Sequence, residues 1–400
     1  MSDFPSLGSD VWNTKAISEV RDHFNDQQPR FVYEDVAGQG SFGMTYRVRE
    51  RLPDGGTRRL AVKRALDGEE DVLRNEIRWL EELAGSAHIV RIVASHDGVK
   101  KQGKIARWAR RLSLRTSRGS SDIKESLEGL KGPVLMMEYL DNGDLAQLYY
   151  RTIKYGLVVP NKVLWSIFLC LVRACVAMAY PGKTDENAEP RLEEVPGDRM
   201  TPSNLDHGDL HMGNVMIGDI ASPSNSEHEL VPVLKLIDFG QAKENEDAVQ
   251  ENLFNTSKIM INLIARQVVQ VQKTATDYNG FRTYATEILP PPLQSEGGAS
   301  YYKYADLDPE LRDLVTQCLA QDPSERPGLA EMLRTIQPAT AGKTATVVAP
   351  SSTLGDSNAD VTDDAIRAFL QKALYDAEGD VSGKREARDD LLGSVADFGF

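Results

Sequence analysis

Cysteine is scarce in this chain. The three present, Cys170, Cys175 and Cys318, form no C-x-x-C pair and have no histidine beside them. That argues against a metal knuckle or a disulfide framework and for small core residues in a reducing compartment. Positive charge is also short. The net charge is -14, whereas a nucleic-acid backbone demands a basic face, so general nucleic-acid binding is not expected. The N-terminus, Met1-Ser2-Asp3-Phe4-Pro5, lacks both a basic lead and an apolar run. No signal peptide is expected, and the compartment reads as intracellular, cytoplasmic or nuclear. Long apolar runs are missing except for Val163 to Tyr180, whose single charge is Arg173. A charge near the middle of a span is costly in lipid. The run therefore reads as a buried core helix, and no membrane span is expected.

What remains is ample for a core. Hydrophobic residues make up 41% of the 400, and at roughly 150 residues per domain the length suggests two or three units. Residues 1–29 are polar and read as a loose lead-in, with room for a short helix. Strand-like alternation begins at Arg30, with Phe31 to Val36, Tyr46 to Arg49 and Leu60-Ala61-Val62 as short strands. Pro53-Asp54-Gly55-Gly56 is strong turn chemistry. Asp71 to Leu83 has helical spacing, with Val72, Ile77, Leu80 and Leu83 on one face. Residues 99–118, within a longer insertion over 95–132, carry many Lys and Arg and no acid. They read as an exposed insertion that offers a contact to an acidic partner. Within it, Arg110-Arg111-Leu112-Ser113-Leu114 is similar to substrates of kinases that prefer basic sequences. Val134 to Tyr139 is strand-like. Helical patterns dominate from Asn161 to Gln337, broken by short strands around Val215 and Leu234. Residues 338–400 form a linker and an acidic tail carrying Asp389 and Asp390, in which Thr362-Asp363-Asp364 opens a short amphipathic helix.

The chemistry lies in a series of short motifs. Gly38-Gln39-Gly40-Ser41-Phe42-Gly43 fits G-x-G-x-x-G. A dinucleotide site needs a helix opening on the third glycine. Here a strand, a turn and another strand follow, which makes a hairpin able to fold backbone N–H groups over phosphates. Lys63 ends the next strand, in reach of phosphates, and Glu76 is the acid available to hold it. His207-Gly208-Asp209-Leu210-His211-Met212-Gly213-Asn214 places a carboxylate that can take a hydroxyl proton five residues before an amide that can bind Mg²⁺. Leu234 to Gly240 then delivers Asp238 from an apolar strand as a hard oxygen ligand. A second Asp-Phe-Gly, at Asp397, follows no strand and reads as chance.

In this order the motifs resemble the signature set of the protein-kinase family, over residues 30–337. The resemblance implies an α+β, bilobal, protein-kinase-like fold. Its N-lobe, 30–138, would be an antiparallel sheet with one main helix, and its C-lobe, 141–337, mostly helical. It implies Mg²⁺ and ATP as cofactor and substrate. Gly38, Gly40 and Gly43 would cover the phosphates, and Lys63 and Glu76 would form the orienting ion pair. Ala61, the gatekeeper Met137, and Glu138, Tyr139 and Leu140 of the hinge would border the adenine, and Asp144 would meet the ribose. Asp209 would be the catalytic base, with Asn214 and Asp238 holding metal. His207 would be the structural histidine of the catalytic loop, and Cys318 to Pro327 the end of the C-lobe.

The chain also departs from that family. Gly208 stands where an arginine grips an activation-loop phosphate, and Gln241 to Glu251 contains no Ser, Thr or Tyr. Activity is therefore not expected to be switched by phosphorylation there. His211 replaces a lysine, a pattern also similar to aminoglycoside and choline phosphotransferases. No Ala-Pro-Glu precedes the helix near Asn252, which leaves Arg326 without its usual acidic partner. The combination resembles divergent kinase-like proteins of filamentous fungi. Three readings follow: a Ser/Thr-type protein kinase acting on an unidentified protein substrate, a catalytically weak kinase-like ATP-binding module, and a small-molecule phosphotransferase.

Overall fold

The computed structural model describes residues 7–98, 120–182, 189–197, 200–220, 226–271, 273–291, 302–340 and 362–376. The basic stretch 99–118 with Ser113, the acidic residues Asp389 and Asp390 and the second Asp-Phe-Gly lie outside them. The chain forms two compact units. The first holds the described residues up to Tyr139 together with Pro181–Arg191 and Asp238–Ala242, and the second holds the rest.

Five strands make the sheet of the first unit: β1 (Phe31–Gln39), β2 (Gly43–Arg51), β3 (Thr57–Ala65), β4 (Ile92–His96) and β5 (Val134–Glu138). They run antiparallel in the order β1-β2-β3-β5-β4. The turn read from Pro53 to Gly56 joins β2 to β3. Gly55 takes φ +89° there, which glycine reaches without a Cβ clash, and the Asp54 carboxylate accepts the Gly56 N–H at 2.8 Å. Strand alternation sorts side chains to two faces. Leu60, Val62, Val134 and Met136 enter one apolar cluster, while Ala61, Lys63 and Met137 point to the other side.

That cluster also contains Val20 and Phe24, which corrects the reading of residues 1–29 as a loose lead-in. Leu7–Asn25 is a helix, α1. Ala16, Val20 and Phe24 recur every fourth residue and are buried. The stripe is narrow and set among charged residues, so mean polarity concealed it. A short helix α3 (Ser120–Ser126) supplies Ile123 to the same cluster, followed by Leu127 and Leu130. Helix α2 (Glu70–Glu82) lies between α1 and α3 in sequence and shows a second difference. Its buried side chains are Leu73, Glu76 and Leu80, continued by Leu83, whereas Val72 and Ile77 are half-buried. An apolar-only stripe omits Glu76. With Glu76 included, positions 73, 76, 80 and 83 follow the helical period without a gap.

The second unit is mostly helical. It contains α4 (Leu145–Lys154), α5 (Asn161–Ala179), α6 (Ala248–Ala265), α7 (Pro309–Cys318) and α8 (Leu329–Thr340). Its strands are short: β6 (Leu205–Asp206) pairs with β9 (Lys243–Glu244), β7 (Val215–Ile217) with β8 (Leu234–Leu236), and β10 (Thr276–Tyr278) with β11 (Phe281–Thr283). Helix α5 is the apolar run read from the sequence. It is the one described helix long and apolar enough to cross a membrane, and every residue from Val163 to Ala179 is buried within this unit. Its single charge is satisfied there: Arg173 donates to Glu227 at 2.5 and 3.3 Å and to the Glu193 carbonyl. All three cysteines are free and buried. Burial pushes the Cys175 and Cys318 thiols up, to about 12, so they act as small core residues rather than nucleophiles.

The tail helix is present as read. Thr362 accepts the Ala365 N–H at 3.2 Å to cap α9 (Asp363–Leu370). The helix is docked: Ile366, Phe369 and Leu370 are buried, and Arg151 of α4 donates to the Ala373 carbonyl at 3.1 Å. An antiparallel sheet with one main helix on its site-facing side, followed by a helical unit, is the α+β architecture of the protein-kinase-like fold.

Candidate active site

In the first unit the glycine-rich turn closes β1 onto β2, with the Gly40 N–H donating to the Gly43 carbonyl at 2.9 Å. A Cβ on Gly43 would lie 2.6 Å from the Arg64 carbonyl oxygen, so this glycine is required by the approach of β3. Lys63 follows on β3 and is nearly buried. Its Nζ lies 2.7 Å from Glu76 Oε2 and 2.9 Å from Asp238 Oδ1. The pairing read between Lys63 and Glu76 is thus formed, and a third member, Asp238, joins it. Asp238 adopts φ 64° and ψ 69°, the left-handed region that costs a residue with a Cβ and that clusters at functional sites.

The turn carrying Asp238 is seated on α2. Asn75 Nδ2 donates to the carbonyls of Gly240 at 3.0 Å and Ala242 at 2.8 Å. A Cβ on Gly240 would lie 2.7 Å from Val72 Cγ1, which explains the glycine of Asp-Phe-Gly by packing. Asn75 was not among the expected site residues. Its signal, an amide one residue before the ion-pair glutamate, is too common in helices to stand out.

Electrostatics follow from one ammonium between two carboxylates. Burial pushes the Glu76 carboxyl up, to about 7, with Lys63 pulling the other way and Asp238 adding to the rise. Burial alone would lower Lys63, but Glu76 and Asp238 together hold it above its ordinary value. A carboxyl whose proton is held more tightly in the folded state stabilises the fold while protonated. That contribution is complete below its ordinary 4.5 and is lost as pH rises through about 7. Glu76→Gln cannot titrate. Thermal melts across that window should show the wild type losing stability relative to the variant as pH rises, and a wild-type advantage that grows with pH would overturn the assignment.

Ala61 pairs with Met137 across β3 and β5, and both are buried. Glu138 turns its carboxylate onto the Arg91 N–H at 2.7 Å. Among the residues read as bordering adenine, Ala61, Met137 and Glu138 belong to the first unit and Leu140 to the second.

In the second unit the loop between β6 and β7 holds the candidate base. Asp209 accepts Asn214 Nδ2 at its carbonyl at 2.8 Å and at Oδ2 at 3.2 Å. Those bonds fix the amide orientation and leave the Asn214 oxygen for a cation. His211 Nε2 lies 3.6 Å from the same Oδ2, just beyond hydrogen-bonding distance. The His211 N–H, with the fields of His211 and His207 and the Asn214 bond behind it, holds Asp209 below the usual carboxylate value despite partial burial. His207 is fully buried, its Nε2 donating to the Ile237 carbonyl at 3.0 Å and its Nδ1 accepting the Asp209 N–H at 3.3 Å. Beneath it, Asn252 of α6 accepts the His207 N–H at 3.1 Å and donates to the Leu205 carbonyl at 2.8 Å. Asp144, read as a ribose contact, caps α4, accepting the Gln147 N–H and Nε2 at 2.9 Å each.

The departures from the kinase pattern acquire local reasons. Gly208 has φ +75°, a conformation strained for arginine, and donates to Asp206 at 3.1 Å. Asp206 also accepts Asn245 Nδ2 at 3.1 Å, so the stretch after β9 is tied to the loop between β6 and β7 without a phosphate. Arg326, left without a partner by the sequence, donates to the Gln250 carbonyl at 2.9 Å and to Glu251 at 3.2 Å. Its guanidinium also lies 4.4 Å from the Phe254 ring centre. The acid comes from the first turn of α6, where no fixed motif marks it.

No protein-family profile matches the sequence. Among solved structures, the chain is similar to one from the CAK complex of Chaetomium thermophilum bound to ATP-gamma-S. It is 15% identical, with 79% of this chain and 93% of that chain covered and a TM-score of 0.47. The reading of the site rests on its own residues.

Proposed function

We propose that this chain is an ATP-dependent protein kinase that transfers the γ-phosphate to Ser or Thr hydroxyls. The observation that carries the proposal is the near-buried Lys63 ammonium held between Glu76 at 2.7 Å and Asp238 at 2.9 Å. Desolvating one cation and two carboxylates is costly, and a fold with no use for the cluster gains nothing from it that apolar packing would not give. In this reading Lys63 binds the α- and β-phosphates, Glu76 fixes its position, and Asp238 turns to a metal ion. The donor chemistry suits Mg²⁺, since the Asp238 carboxylate of the first unit and the Asn214 amide oxygen of the second are each hard oxygen ligands. When bound, Mg²⁺ neutralises charge on the β- and γ-phosphate oxygens. Asp209, kept ionised, accepts the proton of the attacking hydroxyl.

A small-molecule acceptor is the second reading. It is favoured by the short stretch from Lys243 to Glu251, which is occupied by contacts to Asp206, Asn204 and Arg326. Phosphate transfer tried in parallel on a mixed Ser/Thr peptide pool and a metabolite pool separates the two. The basic stretch 99–118 remains our proposed contact for an acidic partner.

Mg²⁺-ATP is expected to raise the melting temperature. A ligand at a hundred times its Kd adds about 2.7 kcal/mol. Asp238→Ala should remove most of the magnesium-dependent part. No shift in the wild type at millimolar nucleotide would reject nucleotide binding.

A further inference from the structure

His211 stands where the resemblance implies a lysine, and its ring is fixed in place. Nδ1 accepts the Gly213 N–H at 3.0 Å and so caps the 3-10 turn Met212–Asn214. A Cβ on Gly213 would lie 3.0 Å from the ring Cε1 and 3.1 Å from Nδ1, so glycine is what lets the ring lie over that peptide. With Nδ1 an acceptor, the proton of the neutral ring is on Nε2. That N–H faces Asp209 Oδ2 at 3.6 Å, and Asn214 Nδ2 reaches the same oxygen at 3.2 Å. Contacts in unliganded sites are often long and tighten once substrate is bound. Asn214 thus bonds Oδ2 directly, His211 Nε2 stands a few tenths of an ångström short of the same oxygen, and Oδ1 lies on the other side of the carboxylate.

We infer that His211 is a positioning residue: through Nε2–H it holds Oδ2 of Asp209 and so presents Oδ1 to the acceptor hydroxyl. The inference deepens the phosphotransfer reading and rests on it for its chemistry. In the step, the hydroxyl oxygen bonds to the γ-phosphorus and the bond from that phosphorus to the β–γ bridging oxygen breaks. Its electron pair leaves with ADP, and the hydroxyl proton passes to Oδ1. No co-reactant is needed, and His211 keeps its proton throughout.

The two ring nitrogens allow this role to be separated from capping. Asparagine places an acceptor where Nδ1 is but cannot reach Asp209. Glutamine places an N–H at the reach of Nε2 but has no acceptor at the position of Nδ1. His211→Asn is expected to lower kcat about 10²-fold, the scale of a misplaced reacting group, with KM for ATP unchanged. His211→Gln should keep most of kcat. The reverse order would mean that His211 only caps the turn and would overturn the inference. Ring ¹⁵N NMR on the whole chain at mildly alkaline pH reads the arrangement without turnover. The expected signature is an unprotonated Nδ1 and an Nε2–H whose signal moves in Asp209→Asn. A ring protonated on Nδ1, or an Nε2 signal indifferent to Asp209, overturns the inference even if phosphate is transferred. The expected signature with no transfer to any acceptor overturns the phosphotransfer reading and, with it, the catalytic use of His211.

Discussion

Asp209→Asn should leave the fold and the Mg²⁺-ATP thermal shift intact while lowering phosphoryl transfer by about 10² to 10⁴, the usual contribution of a positioned base. The substitution keeps the shape of the side chain and an oxygen for Asn214 Nδ2, which now reaches Oδ2 at 3.2 Å and the Asp209 carbonyl at 2.8 Å. The negative charge and the capacity to take a proton are lost together. Lys63, Glu76 and Asp238 belong to the other unit, and Asn214 keeps the Asp209 carbonyl as its nearer acceptor at 2.8 Å, so nucleotide binding is a built-in control. Single-turnover transfer and thermal melts on the same preparation check both halves. A variant that retains most of its turnover would remove Asp209 from the chemistry. Loss of the nucleotide shift as well would mean the loop had been disturbed rather than the base removed.

Legibility in the sequence followed the range of the interactions. The ion pair could be read because Lys63 and Glu76 each belong to a short local pattern, a strand end after a glycine hairpin and a helix soon after it. Asp238 could be read as a ligand, but its contact with Lys63 at 2.9 Å joins residues far apart in the chain, and no local pattern encodes that. Asn75 stayed hidden for the same reason, and Asn252, read only as the opening of a helix, could not be given its partners. Each is an ordinary helical amide until the carbonyls it meets are known: Gly240 and Ala242 for one, Leu205 for the other. Helix α1 was concealed by composition, since Val20 and Phe24 are few among charges yet fully buried. The buried face of α2 was displaced because Glu76 was counted as polar, although its partner makes it an interior residue.

Arg173→Leu is expected to lower stability by about 3–5 kcal/mol, the cost of breaking one partner from a buried charge pair. Arg173 lies mid-way along α5, whose residues from Val163 to Ala179 are all buried. Its guanidinium reaches Glu227 at 2.5 and 3.3 Å and also donates to the Glu193 carbonyl. Leucine fills similar space and suits the apolar helix, so lost packing is a minor part of the change. What is lost is the cation: the Glu227 carboxylate loses the charged partner it meets at 2.5 Å, and the Glu193 carbonyl loses a charged donor. The double variant Arg173→Leu/Glu227→Leu removes both charges and should regain much of the loss, because replacing a whole buried pair by apolar residues is often neutral. Urea melts of wild type, both single variants and the double variant give the coupling. A single variant as stable as wild type, or a double variant no better than the Arg173→Leu single, would mean that Arg173 is held by packing of its stem rather than by its charge.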